Sequence, residues 1–294
     1  MSDGFRDSRH RRRLAVVIGS GGVKCAAALG LQQVLEREGI HIDMMVGCSG
    51  GAMYAAQAAL GATHHETRRA TLELWTREVT SKRNRRALLQ LLMPKRFGFN
   101  EEFGMRDDRL VRERLATAFG DRTFADAHMP LFITATDFHT GEQVVLSEGP
   151  VREAIRASIA IPFVLPPWRV NGRLLVDGFL SDPLPVNVAM REGADVILAM
   201  GFESPFQSRV TSGARFAFQL SAIMTNNLLR SRFAFHNLSH HSEVIAVVPE
   251  FDRKIGLFAT DQIPYVIEQG AHAMEEHVPY IRRLLECDAS RVRS

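Results

Sequence analysis

The hydrophobic pattern along the chain switches between two periods. Leu14 to Ile18 is a continuous apolar run bounded by glycine, the signature of a strand covered on both faces. Val23 to Glu38 then sets Ala27, Leu31, Val34 and Leu35 on one face at helical spacing, and Gly39 ends that helix. Ile40 to Val46 supplies a second apolar strand, and the alanine-rich stretch Ala52 to Leu60 a second helix. Two strand–helix units in succession predict a parallel sheet with helices on its faces, an α/β fold.

From His64 to Arg122 the pattern is charged and amphipathic, with no clear strand. Arg68 to Val79 and Leu110 to Phe119 read as surface helices. Leu88 to Met93, between the basic residues Lys82 to Arg86 and Lys95-Arg96, reads as a core-facing helix end with solvated neighbours. Its alternative is an interfacial segment that dips apolar side chains into lipid. Strand character returns at Pro130 to Thr136 and Gln143 to Leu146, which a turn at Thr140-Gly141 joins as a hairpin. Val151 to Ser158 predicts a helix, stopped before Pro162. Arg173 to Val176 is a short strand reaching Asp177-Gly178. Pro185 to Glu192 predicts a helix, Asp195 to Met200 and Val244 to Val248 strands, and Ser212 to Arg232 and Ile263 to Leu285 helices. Gln207 to Gly213 resembles a flexible loop, and no internal repeat is present.

Composition adds bounds rather than detail. With 294 residues, 46% of them apolar, the chain can fill a sizeable core. A net charge of +3 conceals uneven basic blocks. Arg6 to Arg13 reads as a disordered tail rather than a nucleic-acid arm, with weak tethering to an anionic membrane as the alternative. The apolar run after it is too short for a secretory signal, and no window approaches the ~18 apolar residues of a membrane span. Cys25, Cys48 and Cys287 form no metal or redox pattern, so a cytosolic, reduced, metal-free protein is expected. The expected organisation is a basic tail at 1–13, one domain at 14–286 with 64–122 as a helical insertion, and a short tail at 287–294.

Chemistry concentrates at Gly47-Cys48-Ser49-Gly50-Gly51, between the second strand and the second helix. Small residues two before and two after a serine are what a nucleophile elbow requires, because strand and helix must pack closely around a strained turn. Gly19-Ser20-Gly21-Gly22-Val23-Lys24 also lies between a strand and a helix, where backbone N–H groups can cradle an anion. It departs from the dinucleotide and triphosphate fingerprints and suits an oxyanion hole, with Gly21 and Gly22 as donors, each typically worth ~10²–10³ in rate. Serine needs a base. His236, His240, His241, His272 and His277 are available, and none has a compelling context. Asp177, at the end of an apolar strand, is the stronger candidate, although backbone capping is the more ordinary role for such a carboxylate. Asp137 sits at a similar strand end and reads as a structural turn residue.

The ordered set Gly-Ser-Gly-Gly-Val-Lys, Gly47-Cys-Ser-Gly-Gly51, Arg156-Ala-Ser-Ile-Ala-Ile-Pro162 and Asp177-Gly178 resembles the bacterial patatin-like phospholipases over about residues 14 to 200. The resemblance implies a three-layer α/β/α sandwich with a mostly parallel central sheet and a Ser–Asp dyad acyl hydrolase. By correspondence Ser49 is the nucleophile, Asp177 the general base and Gly21-Gly22 the oxyanion hole. Gly47, Gly51, Lys24 and Gly178 complete the motifs. It implies a lipid or acyl-ester substrate and a dyad that requires neither histidine nor calcium. With the readings above, no cofactor, no metal and no nucleic-acid partner are expected, and the basic segments leave peripheral contact with an anionic membrane at its inner face as an alternative. The chain departs from the family at Lys24-Cys25, where Arg-Gly is usual, and at Phe179, where a small residue is usual. Phe179 reads either as a core residue or as part of an acyl pocket. A small-ester or thioester hydrolase and a non-catalytic lipid-binding or regulatory protein are the alternatives.

Overall fold

The computed structural model describes residues 12–80, 84, 87, 89–90, 93–203, 210–211, 213–236 and 242–286. Most of the block from Arg6 to Arg13, Lys82, Arg83, Arg85, Arg86, Leu88, Leu91, Leu92, most of Gln207 to Gly213, His240, His241 and Cys287 lie outside the described residues. Eight strands among the described residues form one sheet. They are β1 (Leu14–Ile18), β2 (Met44–Cys48), β3 (Leu131–Asp137), β4 (Gln143–Leu146), β5 (Trp168–Val170), β6 (Arg173–Asp177), β7 (Val196–Met200) and β8 (Glu243–Val247).

β1 lies between β2 and β7, parallel to both; β8 continues in parallel beyond β7, and β3 beyond β2. Every residue of β1, β2 and β7 is buried, which explains why these strands read as unbroken apolar runs. Beyond β2 the sheet changes direction. β4 and β6 both run antiparallel to β3, and since Ala135 pairs with Val144 and with Asp177 they occupy opposite edges of it. Ile133 and Thr134 pair with both β2 and β4, so β2 and β6 share one edge of β3. They meet end to end there: Cys48 pairs with Thr134, and Asp177 pairs with the next residue, Ala135.

Two cores flank the sheet. On one face Leu14, Val16 and Ile18 pack with α1 (Ala27–Arg37), α2 (Gly50–Ala59), α5 (Val151–Ser158) and α8 (Ile263–Glu275). On the other, Ala15 and Val17 meet α6 (Val186–Arg191) and Leu229 of α7 (Gly213–His236). This is the three-layer sandwich with a mostly parallel sheet that the sequence implies.

Four details differ from the sequence expectations. A 3-10 turn over Gly22–Ala26 precedes α1. Between α2 and β3 lie α3 (His64–Leu74), whose Thr63 and Glu66 form a capping box, and α4 (Arg109–Phe119). α3 lies earlier than the Arg68 to Val79 of the sequence reading, whereas α4 is the expected surface helix, attached to the main core through Val111, Leu115 and Phe119. The C-terminal helix is split into α8 and α9 (Val278–Glu286), because Pro279 cannot continue the hydrogen-bond ladder of a preceding turn. β5 and β6 form a hairpin absent from the sequence reading. Its turn, Asn171-Gly172, has both φ angles positive, at 50° and 77°, as a tight hairpin turn requires.

Candidate active site

Ser49 occupies the single-residue step between β2 and α2, with φ 55° and ψ −129°. A non-glycine residue there is strained, and the strain turns the side chain out of the sheet. The glycines on either side allow the turn to close. A Cβ on Gly47 would lie 2.5 Å from the Ala52 Cα, and one on Gly51 2.3 Å from the Ile18 carbonyl oxygen. The Ser49 N–H donates to Ser158 Oγ at 2.8 Å, and that hydroxyl donates onward to the Thr134 carbonyl at 2.7 Å. The C-terminal end of α5 thereby ties the strained backbone to β3.

The end-to-end meeting of β2 and β6 delivers Asp177 to the serine. Ser49 Oγ donates to Asp177 Oδ2 at 2.7 Å, and Oδ1 accepts the Phe179 N–H at 3.1 Å. The backbone of Asp177 is held separately, its N–H by the Ala160 carbonyl and its C=O by Thr136 Oγ1. Asp177 is fully buried. Loss of hydration disfavours the carboxylate, and two hydrogen bonds offset this only in part, so its pKa is pushed up to about 7. Gly178 follows against the Thr134 carbonyl and Cys48 Sγ. Asp177 therefore both caps the turn, through Phe179, and contacts the serine. The two roles are compatible because they use different oxygens.

The glycine loop shares a cavity of about 290 Å³ with Ser49. The Ser20 and Val23 N–H groups are spent on the carbonyls of Pro183 and Leu257. Those of Gly21 and Gly22 donate to no carbonyl among the described residues. Gly22 has φ 58°, and a Cβ there would lie 2.5 Å from Leu257, so glycine is required on two counts. Cys25 lies within the 3-10 turn, in a conformation any residue adopts, with its thiol donating to the Gly19 carbonyl. Lys24 Nζ donates to the Glu203 carbonyl at 2.8 Å and sits over the Phe251 ring, and burial lowers its pKa. Phe179 is half-buried and lines the cavity wall.

Among the described residues no histidine lines the cavities at Ser49. Asp137 accepts the N–H groups of His139 and Thr140, in keeping with a turn residue. No cluster of three or more His, Cys, Asp or Glu among the described residues is arranged to hold a metal ion. Ser158 carries no task in the sequence reading; as the last residue of α5 it lies against the elbow. Arg156 is itself buried, bonded to Asp108 and stacked on Trp168.

A hydroxyl hydrogen-bonded to a carboxylate and facing a cavity edged by unspent N–H groups meets the geometric needs of acyl transfer through a serine. Comparisons with known proteins identify the family. A family model described as patatin-like phospholipase matches residues 16–190. An uncharacterized NTE family protein of Mycobacterium bovis is 30% identical over 227 residues, covering 77% of this chain and 58% of that protein. Patatin-like phospholipase domain-containing protein 7 of Mus musculus is 28% identical over 206 residues, covering 68% of this chain and 14% of its own length. The crystal structure of VipD from Legionella pneumophila shares the fold, with TM-score 0.51 at 14% identity over 91% of this chain and 66% of that one. With more than half of its residues matched by the family model, the chain belongs to the patatin-like phospholipase family.

Proposed function

We infer that the protein is a lipid acyl hydrolase that works through a Ser49–Asp177 dyad. Family membership supports the reaction class. The observation that carries the dyad is the 2.7 Å hydrogen bond from Ser49 Oγ to a fully buried carboxylate. Asp177 takes the hydroxyl proton as Ser49 attacks an ester carbonyl, and Gly21 and Gly22 N–H groups receive the negative charge on its oxygen. Collapse of that intermediate expels the alcohol, which takes the proton from Asp177 and leaves an acyl-serine. Asp177 then accepts a proton from water, whose oxygen attacks the acyl carbon, and collapse of that intermediate releases the fatty acid as the departing Ser49 Oγ takes the proton from Asp177. A pKa near neutrality suits this shuttle, since the same group must accept and return a proton.

A lipid, rather than a small soluble ester, is favoured by the surface around the site. Phe163, Leu180, Leu220 and Met224 are exposed, Met224 by 72%, and line one wide apolar groove beside the cavity. Peripheral contact with a membrane belongs to the same reading; no helix among the described residues is long and apolar enough to cross one. Intact-mass analysis after treatment with a fluorophosphonate tests the dyad. One adduct is expected on the wild-type protein, none on Ser49→Ala, and much slower labelling on Asp177→Asn. An adduct that persists in folded Ser49→Ala refutes the assignment.

A further inference from the structure

Two cavities meet at the elbow and a third adjoins the first, and their linings differ in chemistry. The first, already described, has the polar side chains of Ser20, Lys24, Glu203 and Lys254 in its lining. The second, of about 110 Å³, touches Ser49, Gly22 and Gly50 and lies between α2, α4 and the segment that follows α3, past Met53, Trp75, Val79 and Val111. Among the described residues no charged side chain lines it. The third, of about 940 Å³, is the apolar groove along α7; it does not reach Ser49 but shares Ile161, Phe179, Ser221 and Thr225 with the first.

An ester carbonyl held at Ser49 has two substituents with opposite needs. The acyl chain is hydrocarbon throughout and remains on the serine after the alcohol departs. The alcohol of a lipid carries oxygen atoms next to the ester and, in a diacyl lipid, a second chain further away. Resting on the dyad proposed above, we propose that the cleft lined by Met53, Trp75, Val79 and Val111 is the acyl-chain site of the enzyme. The alcohol then lies in the first cavity, beside its polar side chains, and its remaining chain in the groove along α7. The assignment follows from adjacency and chemistry together: among the described residues the second cavity touches the nucleophile and has no charged side chain in its lining, whereas the first touches the nucleophile, carries Lys24, Glu203 and Lys254, and shares four lining residues with the third against one for the second.

The cleft also bounds the chain. Its volume is below the ~150 Å³ of an apolar cavity that admits one benzene molecule, so it encloses a few carbons near the carbonyl. Trp75, half-buried at the end of α3, is the largest side chain on its wall and decides how longer chains are accommodated.

Hydrolysis of p-nitrophenyl esters with acyl groups of two to sixteen carbons, all with one leaving group, tests the assignment. Trp75→Ala is expected to raise kcat/KM for the long esters relative to the four-carbon ester by about tenfold, the scale of discrimination by shape in an apolar pocket. It should also change the rate at which a preformed acyl-enzyme is hydrolysed, a step in which no alcohol is present. Val79→Phe, which fills rather than empties the cleft, should move the preference toward shorter chains and serves where Trp75→Ala does not fold. Met224→Ser in the groove should instead alter the ratio of diacyl to monoacyl glycerophospholipid turnover. Active, fluorophosphonate-labelled variants at Trp75 and Val79 with an unchanged chain-length order, or a shift in that order from Met224→Ser, overturn the acyl-site assignment and leave the dyad standing. A folded wild-type protein that neither labels nor hydrolyses any ester overturns both.

Discussion

Replacing Asp177 with asparagine should abolish hydrolysis and, above neutral pH, make the protein more stable. Asparagine matches the shape of the carboxylate and keeps both contacts, accepting the Phe179 N–H with its oxygen and donating to Ser49 Oγ with its amide. It removes only the buried charge. The Asp177 pKa rises from an ordinary 3.8 to about 7 on folding, so between those values the native protein holds a proton that the unfolded chain has released. Stability must therefore fall as pH rises through that window. A shift of about 3 units at ~1.4 kcal/mol each makes the full penalty on the order of 4 kcal/mol above neutrality. Between about pH 5 and pH 8 the wild-type protein should lose roughly 2–3 kcal/mol that Asp177→Asn retains, or about 3–5 °C in Tm for a chain of this size. Urea unfolding of both proteins at matched pH values reads the difference directly. Denaturation curves that keep a constant separation from pH 5 to pH 8 would refute the reasoning, because the charge would then cost nothing to bury. Wild-type kcat/KM should rise across the same window to a plateau, since only the carboxylate can accept the serine proton.

Two further substitutions probe what supports the dyad. Ser158→Ala leaves the Ser49 N–H and the Thr134 carbonyl without their shared partner, a loss of about 1–3 kcal/mol. Steady-state kinetics should show kcat lowered with KM little changed, and Ser158→Thr should recover part of it; a change confined to KM would mean that the hydroxyl does not hold the elbow. Arg156→Met strips Asp108 of a buried partner and should destabilise the fold by about 3 kcal/mol, measured by denaturant unfolding. A variant as stable as wild type would assign the buried pair no role in holding α5.

The sequence made the centre of the sheet legible because β1, β2 and β7 are buried on both faces, and such strands need no partner to be recognised. It was less informative at the edge. β5 is three residues long with no buried residue, and the Asn171-Gly172 dipeptide that joins it to β6 is a short signal beside the long apolar runs. α4 is legible as an amphipathic surface helix, but not which neighbours its Val111, Leu115 and Phe119 meet. At the site, Ser49 and the glycines announce themselves by local constraints of space and φ. Asp177 does not, because its proximity to Ser49 is a matter of register between strands far apart in the chain. Ser158 was hidden for the same reason, its hydroxyl acting on a backbone group 109 residues away.

The meeting of β2 and β6 along one edge of β3 also determines when activity can arise. Ser49 and Asp177 are 128 residues apart, and on the ribosome the strand with the serine and the glycine loop are made long before the strand with the carboxylate. β6 is made after β2 and β3, and its return against β3 completes that edge. With the proposed dyad, the serine has no base before that return. Hydrolytic competence would then be gained only once β6 is in place.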